Sequence, residues 1–170
     1  LVVAFGGMAI KNADVHGGGI SQHVVLPKLK GASARGARFK LVSPLRDDFP
    51  ADVNADWLPI IPGTDMALML GIAYVLVAEG LHDRAFLDRY TTGYDRFENY
   101  LLGHTDGVPK TPEWAANICG IGAGEITDLA RQMARSRTLI TVSHSLQRAD
   151  YGEQPVWMGI VLAAMLGQIG

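Results

Sequence analysis

Four polar clusters in this chain hold the residue types of a ligand site. FGGMAIKN (residues 5–12) places Gly6 and Gly7, whose missing side chains let backbone approach a ligand closely, ahead of Lys11, a cation suited to a phosphate, and Asn12. VSPLR (42–46) carries Ser43, Pro44 and Arg46. IPGTD (61–65) carries Pro62, Gly63, Thr64 and Asp65 at the head of an apolar run. SHSLQR (143–148) carries Ser143, His144, Gln147 and Arg148. Each also has a plainer reading. A glycine pair after a strand is commonly a turn, and Thr-Asp before an apolar run is commonly a helix cap.

Other chemistries find no support. The G-x-G-x-x-G pattern, the Walker loop and the H-E-x-x-H pair are all absent. His16, His23, His82, His104 and His144 are scattered, without a carboxylate at metal-ligand spacing on one helix face. Of these, only His144 falls in a cluster; His82 and His104 read as surface residues. Cys119, the single cysteine, permits no internal disulfide and reads as an inert buried thiol.

The clusters follow segments that read as strands. Residues 1–5, 37–42, 55–61 and 138–142 are apolar or β-branched runs. Helices are expected at 20–29, 66–78, 83–90, 94–101, 111–118, 123–134 and 156–166. Within the 123–134 segment, Ile126, Leu129, Ala130 and Met133 recur at helical spacing. Thr64 is expected to cap the helix that follows, its hydroxyl accepting a first-turn N–H, and Thr111-Pro112 to open another. Residues 104–110 read as a surface loop, and Tyr151-Gly152-Glu153-Gln154 as a helix-opening turn. Strands alternating with helices predict an α/β domain, three-layered, with a mainly parallel Rossmann-like sheet. In such a sheet ligands sit beyond the carboxyl ends of the strands, where all four clusters fall.

With 170 residues, 48% of them apolar and 19% charged, the chain suits one domain with its own core. A net charge of −2 from 15 basic and 17 acidic residues does not suggest nucleic-acid or membrane-surface binding. The apolar stretch 156–166 is too short to span a bilayer. The chain opens directly on an apolar run and ends at a helix terminus, so both ends read as cut from a larger protein.

Together these segments resemble the bis-molybdopterin guanine dinucleotide enzymes, specifically the dimethyl sulfoxide, trimethylamine N-oxide and biotin sulfoxide reductases. FGGMAIKN, the spacing of VSPLR to DWLPIIPGTDMALML, TPEWAANICGIGAGEITDLARQMA and SLQRADYGEQPVWMGIVLAAMLGQIG carry the resemblance, which covers essentially the whole chain. The biotin sulfoxide reductase subgroup looks closest, chiefly through AFGG and KN.

The resemblance implies an internal domain of a molybdenum oxidoreductase that reduces sulfoxides or N-oxides by oxygen-atom transfer; formate dehydrogenases and nitrate reductases share the domain. A segment of one of those other superfamily members is the alternative enzyme, and a nucleotide-binding module without redox role and a non-catalytic structural domain are the alternatives of other classes. By that match Gly6, Gly7, Lys11 and Asn12 lie near the cofactor, and Ser43, Pro44 and Arg46 line its nucleotide part. By the same match Asp65 recognises guanine in a pocket shaped by Pro62, Gly63 and Thr64, and Ser143, His144, Gln147 and Arg148 approach dinucleotide and pterin. Its helix-start position predicts that Asp65 keeps a low pKa and stays ionised. The chain departs from its relatives at Ser43, where an acid is common, and at His144, where the dimethyl sulfoxide reductases have tryptophan. The implied cofactor is bis-molybdopterin guanine dinucleotide with molybdenum, whose serine ligand lies outside this segment. No metal ligand or catalytic nucleophile is therefore expected here, and the isolated chain is expected to be inactive. The implied partners are the remaining domains of the parent enzyme, a small S-oxide or N-oxide and an electron donor. A cytoplasmic location is expected, with the periplasm as the alternative.

Overall fold

The computed structural model describes residues 1–13 and 23–169. Four strands, β1 (Val2–Phe5), β2 (Phe39–Val42), β3 (Asp56–Leu58) and β4 (Leu139–Val142), form one sheet in the order β3-β2-β1-β4. All three pairings are parallel. The parallel α/β architecture expected from the alternation of strands and helices is thus present.

Both faces of the sheet are covered, which explains why the strands read as continuous apolar runs rather than alternating ones. On one face Phe39, Leu41, Phe49 and Val53 pack with Leu26 and Leu29 of α2 (Val25–Ala34). The other face carries the main core. There Val3, Phe5 and Val42 meet α3 (Asp65–Ala78), which packs against α6 (Pro112–Cys119), α7 (Ala123–Ala134) and α9 (Glu153–Met165). Ten of the fourteen residues of α3 are buried, in keeping with its nearly all-apolar sequence.

Several local readings hold. Thr111 accepts the Trp114 N–H at 3.2 Å with Pro112 at the first helical position. The helix read at 83–90 is α4 (Arg84–Tyr90), with Asp83 outside it as a cap that accepts from Phe86 at 2.9 Å. Helix α5 runs Tyr94–Leu101. Others need correction. The helix read at 20–29 begins at Val25, with Pro27 in its first turn where a missing N–H is harmless, and continues to Ala34. Residues 20–22, like His16 and Gly17–Gly19, lie outside the described residues. Strand β3 is three residues long rather than seven, because Pro59 and Pro62 deny it ladder donors.

Residues 104–109 form the exposed loop read from the sequence, but Lys110 at its end does not share that exposure. Lys110 is only 2% exposed; its ammonium donates to Asp106 at 2.7 Å and to the Val108 carbonyl, and lies 4.3 Å from the Tyr100 ring centroid. A paired cation with an aliphatic stem buries readily once an aromatic face covers it.

Candidate nucleotide site at the strand ends

Parallel pairing puts the four clusters on one edge. Phe5 is level with Val42 and with Val142, and Val42 with Leu58, so every strand ends at the same height. Gly6, Ser43 and Ser143 each follow directly. The chain leaves β1 toward β2 on one side and returns as β4 on the other, so the β1–β4 crevice is the topological switch point where such folds bind ligands.

The glycines in this crevice serve the protein itself. Gly6 and Gly7 have φ of 73° and 90°. A Cβ on Gly6 would lie 2.8 Å from Leu146 Cγ and 3.0 Å from the Ser143 and Ser145 hydroxyls; one on Gly7 would lie 2.6 Å from Asp48 Cβ. The space their missing side chains leave is therefore filled by neighbouring loops rather than kept open. The Ser143 N–H donates to the Phe5 carbonyl at 2.9 Å. Its hydroxyl accepts the Ser145 N–H at 3.1 Å, capping the short helix α8 (His144–Gln147), which the polar sequence did not reveal. The Ser145 hydroxyl donates to the Gly6 carbonyl at 3.3 Å. His144, Gln147 and Arg148 are exposed on this turn.

At the end of β2, Ser43 is fully buried. Its hydroxyl donates to Asp48 Oδ2 at 2.6 Å and accepts the Leu45 N–H at 3.3 Å, while its carbonyl accepts from the Trp57 indole at 2.9 Å. Pro44 and Arg46 are exposed, Arg46 opening a short 3-10 turn that ends at Asp48. Lys11 is exposed on the four-residue helix α1 (Ile10–Ala13), which also contains Asn12.

After β3 the chain makes a tight turn. The Thr64 N–H donates to the Ile61 carbonyl at 3.3 Å, with Pro62 and positive-φ Gly63 between them, the sequence a type II turn favours. Thr64 does not cap α3: its hydroxyl donates to the Ile61 carbonyl at 2.6 Å instead of accepting from the helix.

Asp65, the first residue of α3, is 2% exposed, and its Oδ1 has no hydrogen-bond partner among the described residues. Burial pushes its pKa from 3.8 up to about 6, with its own backbone N–H as the opposing influence. The expectation of a low carboxylate pKa is therefore overturned, although a group that titrates at about 6 is still mostly ionised at neutral pH. Desolvation outweighs the favourable helix-start position because the carboxyl is enclosed instead of facing water.

Sequence reasoning missed Asp48, Ser145 and Leu146, which hold the glycine loop from both sides. The adjacent acids Asp47-Asp48 were the only available signal. No group of three or more His, Cys, Asp or Glu suited to a metal occurs among the described residues.

The molybdopterin oxidoreductase family model matches residues 22–170. The chain belongs to this family. It is 48% identical over 169 residues to the biotin sulfoxide reductase of Cereibacter sphaeroides, covering 99% of the chain and 23% of that enzyme. It is 49% identical over 141 residues to the trimethylamine-N-oxide reductase of Haemophilus influenzae, covering 83% of the chain and 17% of that enzyme. In fold it is similar to acetylene hydratase from Pelobacter acetylenicus, with a TM-score of 0.77 at 24% identity over 99% of the chain and 21% of the hydratase. The chain spans about a quarter or less of the length of these relatives. Within this family member an apolar groove of about 510 Å³ opens between α4, α5 and α9, lined by Met66, Tyr90, Tyr94, Trp157, Ile160 and Ile169. No helix among the described residues is long and apolar enough to cross a membrane.

Proposed function

We propose that the chain forms part of the guanine dinucleotide site of a molybdopterin cofactor, in an enzyme that reduces sulfoxides or N-oxides by oxygen-atom transfer. The unpartnered, buried Oδ1 of Asp65 carries this reading. A buried acceptor without a donor costs free energy, and a ligand that brings donors removes that cost. Guanine presents two adjacent donors, N1–H and the exocyclic amine, which one carboxylate can accept together. Adenine presents a different edge. The residues present therefore fit the group.

Around this anchor other residues of the same edge take supporting roles. Pro44 and Arg46 line the nucleotide, Pro62 and Gly63 shape the base pocket, and Lys11 and Arg148 balance phosphate charge, with Asn12, His144 and Gln147 beside them. When bound, the cofactor supplies the two-electron oxygen transfer, while this chain holds and orients its nucleotide end. The names of the similar reductases support S-oxides or N-oxides as the substrate class. Remaining domains of a longer enzyme cover the apolar groove, where Trp157 is 66% and Ile160 58% exposed. An electron donor completes the turnover cycle, and we place the enzyme in the cytoplasm.

Calorimetric titration of the chain with guanosine and adenosine diphosphates tests the reading. Guanosine diphosphate is expected to bind more tightly, and Asp65→Asn to weaken it by about tenfold or more, since hydrogen bonds to a charged partner are typically worth about 1.5–3 kcal/mol. Equal affinity for the two nucleotides, or no effect of the substitution, overturns it.

A further inference from the structure

We propose that Asp48 is a positioning residue for the nucleotide site, locking the loop after β1 and the loop after β2 into one unit. The proposal rests on the nucleotide reading above and adds a residue that does not itself hold the ligand.

Three independent contacts converge on Asp48. Its carboxylate accepts the hydroxyl of fully buried Ser43 at 2.6 Å. Its carbonyl accepts the Met8 N–H at 2.7 Å. Its Cβ stands where a Gly7 side chain would be, 2.6 Å from the position of that absent Cβ. Met8 and Gly7 belong to the loop after β1, Ser43 to the loop after β2, and β1 and β2 are hydrogen-bonded neighbours. One residue thus touches both loops by side chain and by backbone.

The bond to Ser43 sets the second loop as well. The Ser43 hydroxyl has a single proton, and it is given to Asp48. The same oxygen accepts the Leu45 N–H at 3.3 Å, and the Asp48 N–H donates to the Leu45 carbonyl at 3.3 Å. This closed circuit fixes the 44–46 segment, on which Pro44 and Arg46 are displayed. Ser43 is therefore sealed from a nucleotide, and the acid Asp48 acts through it. A charge-assisted bond from a hydroxyl to a carboxylate is among the stronger tethers available to a loop. It holds the exposed Arg46 and the Gly6–Gly7 backbone in one relative position before the ligand arrives, which lowers the cost of ordering them on binding.

The test uses Asp48→Ala, Asp48→Asn, Ser43→Ala, the double variant and Asp47→Ala, each in the chain. Guanosine diphosphate affinity is measured by calorimetry, and amide exchange is followed at Gly7, Met8 and Leu45. Asp48→Ala is expected to speed exchange at these amides and weaken binding by about tenfold, a coupling size normal for one hydrogen-bonded network. Asp48→Asn keeps an acceptor for Ser43 and should restore most of the affinity. Ser43→Ala should match Asp48→Ala, the double variant should be no worse than either, and exposed Asp47→Ala should be neutral. If Asp48→Ala does not fold, the Asn and Ser43→Ala variants carry the comparison. Unchanged affinity in folded Asp48→Ala or Ser43→Ala, or fully additive losses, overturns the proposal. Asp48→Asn binding as poorly as Asp48→Ala also overturns it, since the charge itself would then contact the ligand. A parent chain that binds no guanosine diphosphate removes the nucleotide reading and this proposal together. Binding by the parent with equal binding by all variants removes only this proposal.

Discussion

The Ile61 N–H donates to the Cys119 carbonyl at 3.0 Å, tying the turn that precedes Asp65 to the C-terminus of α6. This bond joins two places distant in sequence, and Asp65, which follows the turn, is buried in a setting that its neighbours in sequence do not reveal. The raised pKa follows from that burial.

Asp65 should make the chain less stable as pH rises. Its folded pKa of about 6 lies above its unfolded value of 3.8, so between these the folded chain keeps a proton that the unfolded chain has lost. The stability this group contributes is full below the unfolded value, falls as pH rises and is gone above about pH 6. Ionising the buried carboxyl costs up to about 3 kcal/mol. Asp65→Asn should therefore raise stability at neutral pH by about 1–3 kcal/mol and flatten this part of the profile. Urea unfolding across the acidic range checks both outcomes; an unchanged pH slope in the variant would place the titrating group elsewhere.

Binding of guanosine diphosphate should show the opposite trend. The carboxylate accepts guanine donors only when ionised, so affinity should rise with pH up to about 6 and level off above it. Asp65→Asn should lose that dependence. Calorimetry in buffers of differing ionisation heat would also detect proton release in the acidic range.

Alanine at two positive-φ glycines separates backbone strain from crowding. Gly63 has φ of 78° and open space at its Cβ, so Gly63→Ala should cost only the left-handed penalty of about 1–2 kcal/mol. Gly7, with φ of 90°, meets Asp48 at 2.6 Å and should cost about 3 kcal/mol or more as alanine. Chemical denaturation gives both values. Equal losses would mean that the loop after β1 yields freely, contrary to the contacts seen.

Cys119 should resist thiol reagents in the folded chain. Its side chain is fully buried, and burial pushes the thiol pKa up. Ellman's reagent is expected to react only after denaturant is added. Rapid labelling of the native chain would show that α6 opens locally.

The sequence by itself determined the layer architecture and the edge at which the polar clusters gather. Apolar strands alternating with helices allow few arrangements besides a parallel sheet covered on both faces. Once the strands are parallel, residues that follow them must share one edge. Gly6, Ser43 and Ser143 were therefore legible as neighbours before any coordinate was known, and PGTD as a turn into a buried helix. Local chemistry also announced the Thr111-Pro112 start, because that bond closes within one helical turn. Tertiary structure alone decided how the site residues are engaged. Thr64 turns back to Ile61 and Ser43 turns inward to Asp48. Lys110 disappears under Tyr100, and Asp65 loses its solvent. Each outcome depends on groups brought together from other elements or other turns of the loop. Residue type and spacing specify which bonds a side chain can make, whereas burial and competing partners select the bond that forms.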